Sequence, residues 1–509
     1  MTPESLEDHL RKATRHFTAR LPEEQVFTLG RDLARELARL HAQSPPRHPE
    51  IDPATIGFVD GKPVLGGGEA TGDVAEDLLQ LGALLQYLAT AAPADVSWRL
   101  DGPPPADLSS LDRRAALAGL LSPRPDARYP SAAAAADAFE AALNTTADTA
   151  VSWPLFRGDA ARSGQRPTPA PLTGLVPAWD LAVGPVIASP VLTARLVIAA
   201  TTDGRLHFLE RSTGRRVHEM KVASALESSP ALAGFLLHLG TDDGELLGID
   251  VRDGKEAYRY KAGTLVRSSP LVHEGRVYAG VVDTKEAGAL VALDALKGTL
   301  VWRRKLGAVF ASPTLAGARI LVGSDDGALH AIDLEGGALA WSSRLGGRVR
   351  ATAAVGQAPP APDGAIRAGV DEIAVVADFE GRVAAVRTAD GSQAWLRELG
   401  QPVYSSACIT GGLAVVGCHD GNVHGLSLAT GEPAFRVETR GPVVSSPVAL
   451  GDRCLIASTD GDLYLVDLGG QVLARVPVAR EGVQSSPAAD DAMLVLGSGR
   501  GLHAFRIVR

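Results

Sequence analysis

A tag of small residues, Ser-Ser-Pro or a close variant, begins at Ala188, Ser228, Ser268, Ala311, Ala351, Ser405, Ser445 and Ser485, at intervals of 40, 40, 43, 40, 54, 40 and 40 residues. Each tag opens a short apolar run, as in Ser228-Ser-Pro-Ala-Leu. A second run ends in a turn such as Asp242-Asp-Gly, Asp325-Asp-Gly, His419-Asp-Gly or Thr459-Asp-Gly. A third run, such as Leu246–Asp250, reaches a second turn at Asp253-Gly, Gly336-Gly, Asp390-Gly or Thr430-Gly, and a fourth often carries an aromatic: Trp302, Trp341, Trp395 or Phe435. Such turns need φ > 0 and a short side chain that hydrogen-bonds its own backbone, so each unit reads as a four-stranded meander. Four strands repeated about every 40 residues make a propeller blade. Eight tags predict a mainly β fold, an eight-bladed β-propeller. The last repeat, Ser485 to Arg509, has room for three strands only. Val176–Ala182 is expected to supply the fourth and leave no unpaired edge. The 54-residue interval holds Gly356–Ala368, whose Pro and Gly content predicts a surface loop.

Before residue 150 the pattern is different. Leu29, Leu33, Leu37 and Leu40 recur at helical spacing in Phe27–Gln43, as do Leu78, Leu81, Leu84, Leu85 and Leu88. Glu7–Arg20 reads as another helix, joined to Phe27–Gln43 by Leu21-Pro-Glu-Glu, and the alanine-rich Ala132–Leu143 strongly prefers helix. The expected organisation is a helical domain over 1–143, a linker over 144–152 and the propeller over 153–509.

Charge and cysteine content narrow the function. Residues 1–150 carry 14 basic and 22 acidic side chains and the remainder 36 and 37, so the net charge of −9 sits almost wholly in the first part. Neither part has the basic stripe that nucleic acid requires. Leu78 to Ala92 is too short for a membrane span and is broken by Gln80 and Gln86. Met1 to Phe17 is polar and acidic, with no apolar signal core and no lipobox cysteine, so the expected address is the cytoplasm. Cys408, Cys418 and Cys454 form no CxxC pair and read as buried core thiols. His419 beside Cys418, with no further ligand at suitable spacing, reads as a strand end rather than a metal site. No Ser–His–Asp set can be picked out by spacing.

The repeats resemble the pyrroloquinoline-quinone (PQQ) repeat family. The resemblance rests on Trp153-Pro-Leu-Phe-Arg-Gly-Asp-Ala-Ala-Arg-Ser-Gly164, similar to a lead-in segment, and on the blade patterns Asp250…Asp253-Gly and Asp294…Lys297-Gly-Thr-Leu-Val-Trp302. It spans 153–509, about 70% of the chain, and implies the fold more strongly than a quinone, since many members are binding scaffolds. A quinone dehydrogenase of this family needs a metal site of carboxylates and an amide, and often a vicinal Cys-Cys pair. Here no cysteines are adjacent. The recurring Asp203, Asp243, Asp326, Asp420 and Asp460 sit in Asp-Gly turns, where the turn itself accounts for them. No cofactor and no catalytic residue is expected.

Residues 3–143 resemble the C-terminal lobe of a serine/threonine protein kinase. In Arg47-His-Pro-Glu-Ile-Asp-Pro-Ala-Thr-Ile56, His48 and Pro53 fall on the catalytic-loop motif HRDxKPxN. Glu76–Leu85 is similar to the long central helix, with Asp77 and Gly82 in matching places. Leu121–Ser131 is similar to the last conserved turn, with Arg128 as its arginine. The machinery is missing: Glu50 stands for the catalytic Asp, Asp52 for the Lys, Thr55 for the Asn, and Gly66-Gly67-Gly68 for the metal-binding motif. Only eight residues separate Gly68 from Asp77, and phosphoryl transfer depends on metal-held phosphates and a placed base. The resemblance implies a catalytically dead remnant, and bacterial kinase–propeller fusions imply a bacterial origin.

One repeat position does not follow the pattern. The residue before each tag is Ile187, Glu227, Arg267, Phe310, Arg350, Tyr404, Val444 and Gln484. This position enters the innermost strand at the rim of the central channel. Its scatter marks Glu227, Arg267, Phe310, Arg350, Tyr404 and Gln484 as candidates for binding a protein partner or a small ligand at the mouth. Replacing Arg267 and Arg350 together by Ala is expected to abolish partner binding without lowering the melting temperature. The expectation is a non-enzymatic binding, scaffold or sensor protein. The alternatives are a relative or fragment of a kinase with a propeller sensor, and a PQQ-dependent oxidoreductase.

Overall fold

The computed structural model describes residues 151–509 apart from 169–170, 252–253 and 358–371, and before them 4–5, 23–42, 56–59, 62–65, 77–78, 80–81, 84–85 and 131–143. The chain divides into two compact units: Met1–Asp148 with the stretches Arg215–Glu219 and Val251–Gly254, and the remainder to Arg509.

In the first unit, helix α1 (Glu23–His41) buries Leu29, Leu33, Leu37 and Leu40, the stripe that the periodicity marked. It starts four residues earlier than expected. Helix α2 (Ala132–Leu143) has the expected bounds, and the Ser131 hydroxyl accepts the Ala134 amide at 3.2 Å as its cap. Glu140 on α2 pairs with Arg31 and Arg35 on α1. Leu78, Leu81, Leu84 and Leu85 are buried, and His41 meets Asp77 at 2.7 Å. The unit is not purely helical: Ile56–Val59 pairs antiparallel with Lys62–Leu65, and Glu4–Ser5 adds a third strand. In sequence the two strands are separated by Asp60-Gly61, a hairpin signal that the helical reading passed over. The expected helix Glu7–Arg20 and most kinase-like positions, Glu50, Asp52, Thr55, Gly66–Gly68, Gly82 and Arg128 among them, lie outside the described residues.

The second unit is a propeller of eight sheets. Blade 2 shows the plan: Ala231–Ala233, Leu236–Gly240, Glu245–Asp250 and Lys255–Lys261 in simple antiparallel order, called strands A to D from the axis outward. Strand B here is buried at every residue, whereas strand D is largely exposed. Blade 8 consists of Ala488–Ala489, Met493–Gly497 and Gly501–Val508 completed by Gly174–Ala182, with Gly501 opposite Ala182 and Val508 opposite Gly174. The ring therefore closes as expected, on a strand two residues longer than predicted. In blade 5 Gly356 and Gln357 still belong to strand A, opposite Ile373 and Glu372; the rest of the expected insertion loop lies outside the described residues.

The tag serves assembly. The second tag residue of each blade donates its amide to the tag hydroxyl of the next: Ser189 to Ser229 at 2.8 Å, then through Ser269, Ser312, Thr352, Ser406 and Ser446 to Ser486. Seven bonds join eight blades in an open chain. Across the seam Ser485 Oγ donates to the Ala188 carbonyl at 3.1 Å, and the buried Ser189 hydroxyl has no hydrogen-bond partner among the described residues. Farther out, Trp179, Trp302, Trp341 and Trp395 each donate Nε1 to a carbonyl of the next blade, at 2.9 to 3.1 Å. The next blade's turn glycine lies on the indole: at Gly337, with φ +67°, a Cβ would come 2.6 Å from Trp302. Only glycine suits that turn, both for its φ and for the approach.

The lead-in segment threads the ring. Val151–Trp153 extends blade 1, so the strand begins inside the expected linker, and Gln165–Arg166 lies parallel to strand A of blade 7. Between them the carbonyls of Pro154, Ala160, Ala161, Ser163 and Gly164 accept amides from strands A of blades 2, 4, 5, 6 and 7. Arg157 and Arg162 are fully buried and donate to main-chain carbonyls: Arg157 to Ala407 and Pro447, Arg162 to Ser269, Pro270 and Pro313. Burial presses both guanidiniums below their ordinary value, Arg162 to about 9.

Candidate functional site

Arg267, Arg350 and Tyr404 each contact the B–C turn of the preceding blade. Arg267 forks onto Asp242, with Nη2 at 2.7 Å and Nε at 3.2 Å, and its Nη1 reaches Glu227 at 2.9 Å. Arg350 forks onto Asp325 at 2.6 and 2.8 Å. In both pairs the arginine lies 25 residues after its aspartate. Burial lifts the Glu227 carboxyl above its usual range, against the pull of Arg267. Asp242 and Asp325 are almost fully covered, so these arginines neutralise carboxylates that have little water. This pairing predicts, against the sequence expectation, that removing both arginines carries a cost in melting temperature.

On blades 4 to 6 the rim is aromatic. Arg350 lies over the Phe310 ring at 3.9 Å and faces Phe379 at 5.2 Å. Phe379 packs on Tyr404 with centroids 4.4 Å apart, and Tyr404 on His419 at 5.0 Å. Phe310, Arg350 and Tyr404 thus join one contiguous arc, whereas Glu227 and Arg267 form a separate charged pair. Gln484, Ile187 and Tyr404 are exposed, and Val444 is half-buried. Phe379 was not among the residues the sequence marked, and His419 entered only as a strand end beside Cys418; both occupy the turn position that elsewhere holds Asp242 or Asp325.

Below the turns lies a second recurring arrangement that spacing did not reveal. In blade 4, Ser324 Oγ donates to Asp326 at 2.5 Å, His330 Nε2 meets Asp326 at 3.1 Å, and His330 Nδ1 meets Ser342 at 2.8 Å. Burial alone would raise the Asp326 carboxyl, but the bonds from His330 and Ser324 prevail and hold it at about 2. Blade 1 repeats the set with Thr201, Asp203 and His207, and blade 8 pairs Ser498 with His503. In blade 7 a tyrosine replaces the ring: Tyr464 donates to Asp460 at 2.5 Å. The sets recur with buried hydroxyls, each bracing a B–C turn. Blade 6 carries the thiol variant. His419 turns toward Tyr404, while Asp420 and His424 come to Cys418, all three ligand atoms within 4.8 Å of one another. All three cysteines are buried, and burial pushes the Cys408 thiol up to about 11 and Cys418 to about 12. Among the described residues no helix is long and apolar enough to cross a membrane.

The eight sheets, the closure by an upstream strand and the threaded lead-in define the class: a PQQ-like eight-bladed propeller. A family model described as outer membrane protein assembly factor BamB matches residues 177–308, 286–364 and 353–499, and the chain belongs to that family. Among solved structures it is similar to BamB from Moraxella catarrhalis, at 18% identity and TM-score 0.55, over 66% of this chain and all of that one. It is similar also to a europium-containing methanol dehydrogenase, at 12% identity and TM-score 0.61, over 71% of this chain and 98% of that one. A third is the quinohemoprotein alcohol dehydrogenase from Comamonas testosteroni, at 14% identity and TM-score 0.60, over 72% and 82%. At these identities the likeness carries the fold alone. Comparison with curated protein sequences returns no match.

Proposed function

We propose that this chain is a non-catalytic docking protein of the cytoplasm, whose propeller binds a protein partner on the rim of blades 4 to 6. The observation that carries this reading is the arc Phe310–Arg350–Phe379–Tyr404–His419, a run of aromatic and guanidinium groups held on a closed ring. Aromatics and arginine in a rigid frame are the groups that dominate protein interfaces. The donor chemistry supports docking over quinone catalysis. Calcium takes six to eight oxygen ligands, whereas the one three-ligand group among the described residues is a thiol, a carboxylate and an imidazole. The rim carboxylates Glu227, Asp242 and Asp325 are engaged by arginine. Among the described residues these donor sets favour a reading without a calcium-bound quinone.

A photo-crosslinking residue placed at Tyr404 of the intact protein in cells tests this, with Leu473 on the outer strand of blade 7 as the control site. A discrete adduct from position 404 and none from 473 is expected. Equal labelling at both positions, or dye reduction on adding quinone and calcium, overturns it. The first unit we propose to be a kinase-lobe relative without activity that serves as a second docking module. ATP with magnesium is expected to leave its thermal unfolding unchanged, and a nucleotide-dependent shift refutes that.

A further inference from the structure

The hydroxyl–aspartate–histidine strut explains what blade 6 has lost. In blade 4 every member is occupied: Ser324 gives its proton to Asp326, and His330 holds Asp326 on one nitrogen and Ser342 on the other. In blade 6 the serine is Cys418, and the residue opposite the histidine is Arg436 where blade 4 has Ser342. Cys418 Sγ points its proton at the carbonyls of Gln401 and Pro402, at 3.5 and 3.8 Å. Asp420 and His424 keep each other at 2.9 Å, without either hydroxyl. What remains is a thiol, a carboxylate and an imidazole on three sides of one point, the carboxylate and imidazole partly open to solvent.

We infer that Cys418, Asp420 and His424 form a binding site for a borderline-soft divalent ion, zinc or its cobalt surrogate. Sulfur, nitrogen and carboxylate oxygen at bonds of about 2.0–2.3 Å are the zinc donor set, and three protein ligands leave a fourth position for water or for an incoming side chain. The Cys418 thiol releases its proton on coordination, so each ion bound displaces one proton from sulfur. The neighbouring His419 packs against Tyr404, which puts the ion beside the aromatic arc. The inference stands whether or not that arc docks a partner, because its test involves no partner.

The test is titration of the intact, reduced protein with Co²⁺. One equivalent is expected to bind with a near-ultraviolet sulfur-to-cobalt charge-transfer band and visible ligand-field bands. Cys418→Ser restores the residue that blades 4, 7 and 8 carry at this position, so the fold accommodates it; both sets of bands should vanish and affinity fall at least tenfold. His424→Gln is the second variant, with the same expected loss. Cys454→Ser should keep the bands. In the unaltered chain, Zn²⁺ should slow alkylation of Cys418 at least tenfold, read by mass spectrometry. Absence of the charge-transfer band, its persistence in Cys418→Ser, or unchanged alkylation of Cys418 overturns the inference.

Discussion

Blades 4 and 6 follow one plan and end in different chemistry. Blade 4 closes each polar group on another: Ser324 with Asp326 and His330, Asp325 with Arg350, and Trp341 Nε1 with the Thr388 carbonyl. Blade 6 has a thiol for the serine, His419 for Asp325, and Phe435 for the tryptophan. Phe435 fills the same place against the next blade, with Gly470 on its ring as Gly391 lies on Trp341, but it donates no hydrogen bond. The repeat thus fixes shape, while hydrogen-bond completeness varies from blade to blade. A blade whose groups are all satisfied is a strut. In blade 6 the thiol turns to main-chain carbonyls, while the carboxylate and imidazole keep each other.

The largest expected effect concerns the aromatic staple. Trp341→Ala should cost about 3–5 kcal/mol, as deletion of a large packed aromatic does. Trp341→Phe, which makes blade 4 resemble blade 6, should cost about 1 kcal/mol for the lost hydrogen bond. Denaturant unfolding of the intact chain measures both. Equal losses for the two would mean that the bond, not the packing, joins the blades.

Next comes the rim pair. Arg350→Ala strands Asp325, whose side chain is 6% exposed, and should cost about 1–3 kcal/mol, the penalty of an uncompensated acceptor. The guanidinium itself is partly exposed, which keeps the figure below that of a fully buried pair. Arg350→Ala with Asp325→Asn should recover part of the loss. A melting temperature unchanged in Arg350→Ala would show that water reaches Asp325 after all.

A smaller effect depends on pH. A carboxyl held down in the folded state adds stability above its unfolded value near ~4 and loses it as pH falls toward the folded value. Asp326, held at about 2, should therefore contribute an acid-labile term between about pH 4 and pH 2. Asp420 is shifted the same way, by bonds from Asn422 and His424 that prevail over burial. Its acid-labile term should be the weaker, because no hydroxyl assists it. Asp326→Asn should flatten the acid limb of the stability curve more than Asp420→Asn; the reverse order would mean the serine adds nothing.

How legible this was depends on how far apart the partners stand in the chain. The eight tags, the Asp-Gly turns and the closing strand near Trp179 could be read because each is local or periodic. The rim could be located but not explained: Arg267 and Arg350 answer to Asp242 and Asp325 one blade earlier, a correlation visible only once blades are superposed. Buried Arg157 and Arg162 were out of reach, since composition places arginine on surfaces and all their acceptors but the Phe156 carbonyl are main-chain carbonyls 107 to 290 residues away. The struts were missed because their members lie on both sides of a turn, as Ser324, Asp326 and His330 do. The hairpin at Ile56–Leu65 was missed for a simpler reason: Asp60-Gly61 was there to be read, but the leucine spacing around it favoured helix.

The smallest expected effect sharpens the comparison most. Cys418→Ser in protein stripped of metal by a chelator should change the unfolding free energy by less than about 1 kcal/mol, because it exchanges a buried thiol for a hydroxyl that can donate to Asp420 as Ser324 does to Asp326. Ser324→Cys, the converse change, should be the more costly, because it removes a 2.5 Å bond from a set in which every member is occupied. If blade 6 is merely a worn strut, the serine should stabilise it and the two substitutions should mirror each other. If its thiol is kept for an ion, Cys418→Ser should be neutral without metal and destabilising with it, and unfolding curves recorded with and without Zn²⁺ separate the two.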